Sequence, residues 1–116
     1  MAAFPDTLLT GAIPVAESRI ITVFRMYAAK ASFEEFERLY GEMSGIVSAM
    51  PGYVAHKVFV AEDGERVVVA EWSDKDAFLA WDRHPEHKKA KELGKAYLFD
   101  SYDVAVADIF ERHAKP

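Results

Sequence analysis

The sequence predicts an α+β domain of ferredoxin-like layout, in the order β-α-β-β-α-α-β, with helices on one side of a four-stranded antiparallel sheet. Three observations lead there. β-branched and aromatic residues gather in four short runs, apolar residues recur at helical spacing between the first two runs, and an Asp-Gly pair joins the second run to the third. With 116 residues the chain can bury roughly two-thirds of its unfolded surface in a single core.

Residues 1–18 are read as an N-terminal extension. They lack the positive start of a secretory signal, and the apolar stretch from Thr7 to Val15 is broken by Gly11 and Pro14, short of the about 20 residues that cross a bilayer. The domain proper is 19–111, followed by a tail, 112–116. Arg19 to Tyr27 is the first strand, its Ile20, Ile21, Thr22, Val23 and Phe24 suited to a pleated surface. Ser32 and Glu35 have the spacing of a capping box, so a helix should start there. Phe33, Phe36, Leu39, Tyr40, Met43, Ile46, Val47 and Met50 then share one face until Pro51-Gly52. Tyr53 to Ala61 and Arg66 to Trp72 read as a hairpin whose Asp63-Gly64 supplies positive φ angles. Ser73 with Asp76 is a second cap signal, Phe78 and Trp81 mark a short amphipathic helix, and His84-Pro85 breaks it. Pro85 opens a third helix expected to reach about Leu98, with Ala90, Leu93 and Tyr97 facing inward. Tyr102 to Phe110 is the last strand.

Two strands are apolar on both faces: Val67, Val68, Val69 and Ala70 are consecutive, as are Val104, Ala105, Val106 and Ala107. Helices cover one side of a sheet only. The other side is expected to meet a second copy of the same sheet, in a homodimer.

Composition narrows function by exclusion. There is no cysteine, which removes a disulfide framework, a thiolate zinc site and a cysteine nucleophile, and fits a reducing cytoplasm. With 19 acidic against 14 basic residues the net charge is −5, opposite in sign to what a nucleic acid or an anionic membrane attracts. No partner of either kind is expected. The six glycines form no phosphate-cradling loop, and no nucleophile elbow is present.

His84 and His87 stand three residues apart at a helix start, but a third metal ligand would have to come from elsewhere, and no metal is expected. The run Lys88, Lys89, Lys91 and Lys95 suits an anionic ligand or a solvated helix face. Trp72 and Trp81, with Phe24, Tyr27, Tyr40 and Phe78, suit either plain core or the aromatic walls of a cleft between sheet and helices. A cleft becomes a site if His56, His84 or Arg25 enters it.

Met50-Pro51-Gly52-Tyr53, the run Glu71-Trp72-Ser73-Asp74-Lys75-Asp76-Ala77-Phe78, and Trp81-Asp82-Arg83-His84-Pro85-Glu86-His87 together resemble the antibiotic biosynthesis monooxygenase domain family, over about Arg19 to Glu111. The resemblance implies a dimeric α+β barrel with a pocket in each subunit. It implies one of the activities that family contains, which are those of cofactor-free monooxygenases of aromatic polyketides, quinol oxygenases, haem-degrading enzymes and isomerases. In its anthrone oxygenases an Asn four residues before the strand-end Trp, the Trp itself and a Tyr six residues after it line the site. Those positions here are Val68, Trp72 and Phe78. In its haem-degrading branch an Asn, a Trp and an axial His fall on Phe24, Trp81 and Lys91, with His87 one helical turn earlier.

The expected activity is therefore a monooxygenase that adds oxygen, taken from dioxygen, to an electron-rich phenol, quinol or anthrone and requires no cofactor. Its base would be His56, His84 or His87, Arg25 would stabilise the developing oxyanion, and Phe24, Tyr27, Val68, Trp72, Phe78 and Trp81 would hold the substrate. Haem binding or degradation in the same cleft is the alternative, and an isomerase-like or non-catalytic small-molecule protein is a third.

Overall fold

A computed structural model describes residues 18–115. The expected extension lies outside the described residues except for Ser18, which is buried. The chain runs β1 (Ile20–Ala28), α1 (Phe33–Ser48), β2 (Tyr53–Val60), β3 (Arg66–Trp72), α2 (Lys75–Asp82), α3 (Pro85–Leu93) and β4 (Phe99–Asp108). All strand pairs are antiparallel, in the order β2-β3-β1-β4. This is the ferredoxin-like α+β arrangement expected from the sequence.

Strand alternation assigns each side chain of β1 to a face. Ile20, Thr22 and Met26 are buried, while Phe24 of the same parity packs beside the cluster of Met26, Phe36 and Leu98. A second cluster joins Ile20, Val47, Ala70, Trp72 and Trp81. Both lie between the sheet and the helices. On the other face, Arg25 and Tyr27 are exposed.

Several local expectations need correction. Ser32 makes no side-chain cap, because a 3-10 turn over Lys30–Ser32 leads into α1 and Ser32 is already coiled, at φ −118° and ψ 17°. The cap of α2 is Asp74 rather than Ser73: its carboxylate accepts from the Ala77 N–H at 2.8 Å. The Ser73 N–H instead donates to the Gly52 carbonyl at 2.8 Å. Gly64 alone has positive φ in the hairpin, at 95°, so the loop is not a two-residue turn. It closes through Ala61 N–H to Glu65 O at 2.8 Å and Gly64 N–H to Ala61 O at 3.0 Å.

The third helix stops at Leu93 and continues as a π-helical turn, Gly94–Leu98. The wider turn rotates the residues after it about the helix axis. Tyr97, expected inside, is 42% exposed and hydrogen-bonds Glu35, while Leu98 is 1% exposed in the core. β4 accordingly begins at Phe99, three residues before the expected Tyr102. Within the single chain Val104 and Val106 are about half exposed, at 51% and 48%, because β4 is an edge strand beyond the reach of the helices.

The tail is anchored. Arg112 reaches back to the buried Glu71 on β3 at 2.6 Å, and the Ile109 N–H donates to the Arg19 carbonyl at 2.8 Å. Among the described residues no helix is long and apolar enough to cross a membrane.

Candidate functional site

Between the sheet and the helices lies a cavity of about 150 Å³. The floor comes from β1 and β3, where Phe24, Val68, Ala70 and Trp72 share one face because their positions differ by even numbers within paired strands. Helix α1 contributes Tyr40, Met43, Ser44 and Val47, one helical stripe. Trp81 of α2, His87 and Lys91 of α3, Leu98 at the end of the π turn and Phe99 at the start of β4 complete the wall.

His87 is held by two contacts to one residue. Its ring lies on that of Trp81, with centroids 4.1 Å apart and planes 11° from parallel. Its Nδ1 is 3.0 Å from the Trp81 carbonyl oxygen. A carbonyl only accepts, so Nδ1 carries the proton and Nε2 is left with the lone pair. Burial, opposed by the hydrogen bond to Trp81, lowers the His87 pKa to about 4. At neutral pH it is an uncharged imidazole with one basic nitrogen.

His56 is differently placed. Both its nitrogens meet hydroxyls: Nδ1 is 2.6 Å from Tyr53 Oη and Nε2 is 3.2 Å from Ser44 Oγ. Burial lowers its pKa as well. With both nitrogens engaged, His56 clamps β2 to α1 and has no spare lone pair. The Tyr40 phenol, its pKa raised by burial with the Ser44 hydroxyl opposing, has no well-formed hydrogen bond among the described residues. Neither has the buried Nε1–H of Trp72, a residue only 3% exposed.

Of the residues singled out from sequence, Phe24, Val68, Trp72, Trp81, His56 and His87 meet at this cavity. Arg25 does not. It follows Phe24 in a strand and so points to the opposite face, where it pairs with Glu65 at 2.9 Å. Tyr27 lies on that outer face too, bonded to Asp63. His84 accepts the Glu86 N–H at Nδ1, 3.1 Å away, and is spent as the cap of α3. Phe78 packs edge-on against Trp72, at 5.3 Å and 77°, outside the cavity lining. Tyr53, Ser44, Leu98 and Phe99 were not chosen from sequence. Ser44 had a signal, a polar residue one turn after Tyr40 on an apolar face.

Lys91, the one cation of the lining among the described residues, donates to the Asp82 carbonyl at 2.9 Å and to its carboxylate at 2.8 Å. Among the described residues no three His, Asp or Glu side chains gather in a way that would hold a metal ion. The cavity is therefore apolar, with the His87 imidazole in its wall.

Comparison with known proteins gives this geometry a family. The chain is 34% identical over 74 residues to the Bacillus subtilis protein YqjZ, covering 60% of this chain and 65% of that one. It is 29% identical over 87 residues to a Natronomonas pharaonis protein whose name proposes heme binding, covering 72% of this chain and 14% of that one. It thus spans under two-thirds of the length of either relative. Among solved structures, SnoaB of Streptomyces nogalater, a cofactor-independent oxygenase, superposes with a TM-score of 0.69 at 22% identity, over 85% of this chain and 98% of that one. A Mycobacterium tuberculosis protein gives 0.73 at 15%, over 84% and 100%. At these identities the likeness establishes the shared fold. The family model for antibiotic biosynthesis monooxygenases matches residues 19–93, and the chain belongs to that family.

Proposed function

We propose that the protein is a cofactor-independent monooxygenase of an electron-rich phenol-type substrate, with His87 as the base. The observation that carries this reading is the neutral His87, its tautomer fixed by the Trp81 carbonyl and its Nε2 without a protein partner, in the wall of a largely apolar, aromatic-lined cavity. SnoaB, a cofactor-independent oxygenase of the same fold, supports it.

The chemistry balances without a bound cofactor. Nε2 takes the phenolic proton, the phenolate passes one electron to dioxygen, and the radical pair joins as a carbon–oxygen bond. The imidazolium returns its proton to the peroxide. Loss of water, whose second hydrogen comes from the substrate's own C–H, leaves a carbonyl. One oxygen atom enters product, the other leaves as water, and the substrate supplies both electrons.

Magnitudes place a condition on the first step. Moving a proton from a phenol of pKa about 10 to an imidazole of about 4 is uphill by about 8 kcal/mol. The imidazolium and phenolate form in contact, which returns about 4 kcal/mol at an effective dielectric constant near 20. The remaining cost of about 4 kcal/mol is compatible with turnover.

The haem alternative draws on the name of the Natronomonas relative and on Nε2, a nitrogen of the right kind for iron. The residues do not fit the group. Lys91, the one cation of the lining among the described residues, is already committed to Asp82, so no free cation is left there for a propionate. We also propose a cytoplasmic homodimer built on the outer sheet face, supported by the apolar Val67, Val69 and Phe59. Oxygen-electrode assays with a panel of phenols, quinols and anthrones, on chelator-treated protein, test the activity. Uptake above the autoxidation rate is expected, and none with any compound would overturn it.

A further inference from the structure

The contact between His87 and Trp81 has a companion one helical turn along. Asp82 is the last residue of α2, and Lys91 lies in the last turn of α3. Lys91 Nζ donates to the Asp82 carbonyl at 2.9 Å and to its carboxylate at 2.8 Å. Lys91 follows His87 by four residues, so the two side chains leave α3 on one face, and both line the cavity. Asp82 follows Trp81, whose carbonyl accepts the His84 N–H at 3.1 Å as well as the His87 Nδ1–H at 3.0 Å. The end of α2 thus presents two consecutive carbonyls, and α3 meets each with a side-chain donor. A cation suits that place, because the last carbonyls of a helix have no partner within it and carry partial negative charge. Two attachment points resist a rotation of α3 that a single one would allow.

We propose that Lys91 is a positioning residue for His87: its bridge to the Asp82 carbonyl and carboxylate holds the end of α2 against α3, and so keeps the His87 Nδ1–H on the Trp81 carbonyl and Nε2 without a partner. The inference rests on the oxygenase reading only in giving the imidazole a task as base, since the bridge acts on the tautomer whatever the reaction. The charged groups around His87 oppose one another. Lys91 and His84 favour its neutral form, and Asp82 favours the imidazolium. From α1 and β2 the lining adds the Tyr40 and Tyr53 phenols and His56, all uncharged at neutral pH, while β1, β3, Leu98 and Phe99 bring no titratable group. Loss of Lys91 therefore has two separable consequences. The imidazole is no longer held to one tautomer, and the unpaired Asp82 carboxylate draws a proton onto it.

Long-range ¹H–¹⁵N correlation spectra of the full chain read the two ring nitrogens of His87 directly. In wild type at pH 7, Nδ1 should show the shift of a protonated nitrogen and Nε2 that of a bare one. In Lys91→Met, which keeps the aliphatic stem, the two shifts should move toward each other, as mixed tautomers require, and the ring should titrate higher by about one pH unit. Lys91→Arg should restore the wild-type pattern, since its guanidinium can donate to both oxygens. Combining Lys91→Met with Asp82→Asn removes both charges together, and the nitrogens should stay averaged. A wild-type pattern in Lys91→Met would overturn the proposal, and so would its return in the double variant, which would show that Lys91 acts through its charge alone. Should Lys91→Met fail to fold, Lys91→Gln, whose amide is one bond shorter than the lysine, is read in its place with the same expectation. Oxygen uptake then separates this inference from the oxygenase reading. With the phenol that wild type oxidises fastest, Lys91→Met should lose about tenfold in kcat with KM within a few-fold. Averaged nitrogens in Lys91→Met beside no uptake by wild type with any phenol would leave the positioning standing and sink the oxygenase reading. Uptake by wild type beside an unaltered tautomer in Lys91→Met would do the reverse.

Discussion

His87 and Trp81 are bound to each other twice, ring on ring at 4.1 Å and Nδ1 on the backbone carbonyl at 3.0 Å, and each contact makes the other specific. The stack fixes the plane of the imidazole, and the hydrogen bond fixes which nitrogen is protonated. Six residues of sequence separate the pair, with the turn at His84-Pro85 between them, so the break between α2 and α3 is what folds α3 back to bring His87 over the indole.

Burial of His87 makes stability depend on pH. In the unfolded chain a histidine has a pKa near 6.5, while in the fold His87 is lowered to about 4. Between those values the unfolded state binds the proton and the folded state does not, so stability is complete above pH 6.5 and falls as pH drops toward 4. The slope from one such group is at most about 1.4 kcal/mol per pH unit. His56, lowered by burial, adds in the same direction. Urea unfolding from pH 7 to 4 should show a shallower fall for His87→Gln than for wild type. Parallel curves would mean that His87 is not held neutral.

Gly94 tests the π turn. A Cβ there would sit 2.5 Å from the Phe99 ring, which is itself held between Phe24 and Phe36. Overpacking of this kind costs about 1–3 kcal/mol, and the helical preference of Ala offsets about 1 of it. Gly94→Ala should therefore lose about 1 kcal/mol in thermal unfolding and, because Phe99 lines the cavity, also change ligand affinity. A stabilised variant would show that the ring yields freely.

Trp72 and Arg25 make a contrasting pair. Trp72→Leu removes an aromatic face of the cavity worth about 1 kcal/mol in stacking, so affinity for a planar ligand should fall several-fold. Arg25→Ala, on the opposite face, should leave that affinity unchanged. Titration and unfolding of both variants decide between a wall and a plain core residue: a Trp72→Leu that melts lower but binds as wild type is core only.

The outer face of the sheet predicts assembly. Light scattering at micromolar concentration should give twice the 13.0 kDa of one chain. A mass at the single-chain value would leave Val67, Val69 and the bare edge of β4 in need of another explanation.

Much of the fold was legible in the sequence. Strand runs, the helical stripe on α1 and the stops at Pro51-Gly52 and His84-Pro85 report local preferences that the tertiary structure did not override. The two tryptophans and two of the candidate histidines reached the cavity. Arg25 and Tyr27 were misplaced for a reason also present in the sequence: with Phe24 inward, residues one and three positions later in the same strand face outward. The π turn was not legible, since nothing in Gly94-Lys95-Ala96-Tyr97-Leu98 marks a wider turn before Leu98 and Tyr97 exchange places. Nor was the difference between His56 and His87, which depends on hydroxyls and a carbonyl brought from other elements.

The most direct measurement is turnover under ¹⁸O₂ with the best-bound phenol, comparing wild type with His87→Gln at matched substrate saturation. General-base chemistry at His87 predicts one labelled oxygen in the wild-type product and a rate about 100-fold lower in the variant, with ligand affinity within a few-fold. An unlabelled product, or a variant that turns over as fast as wild type, would contradict it.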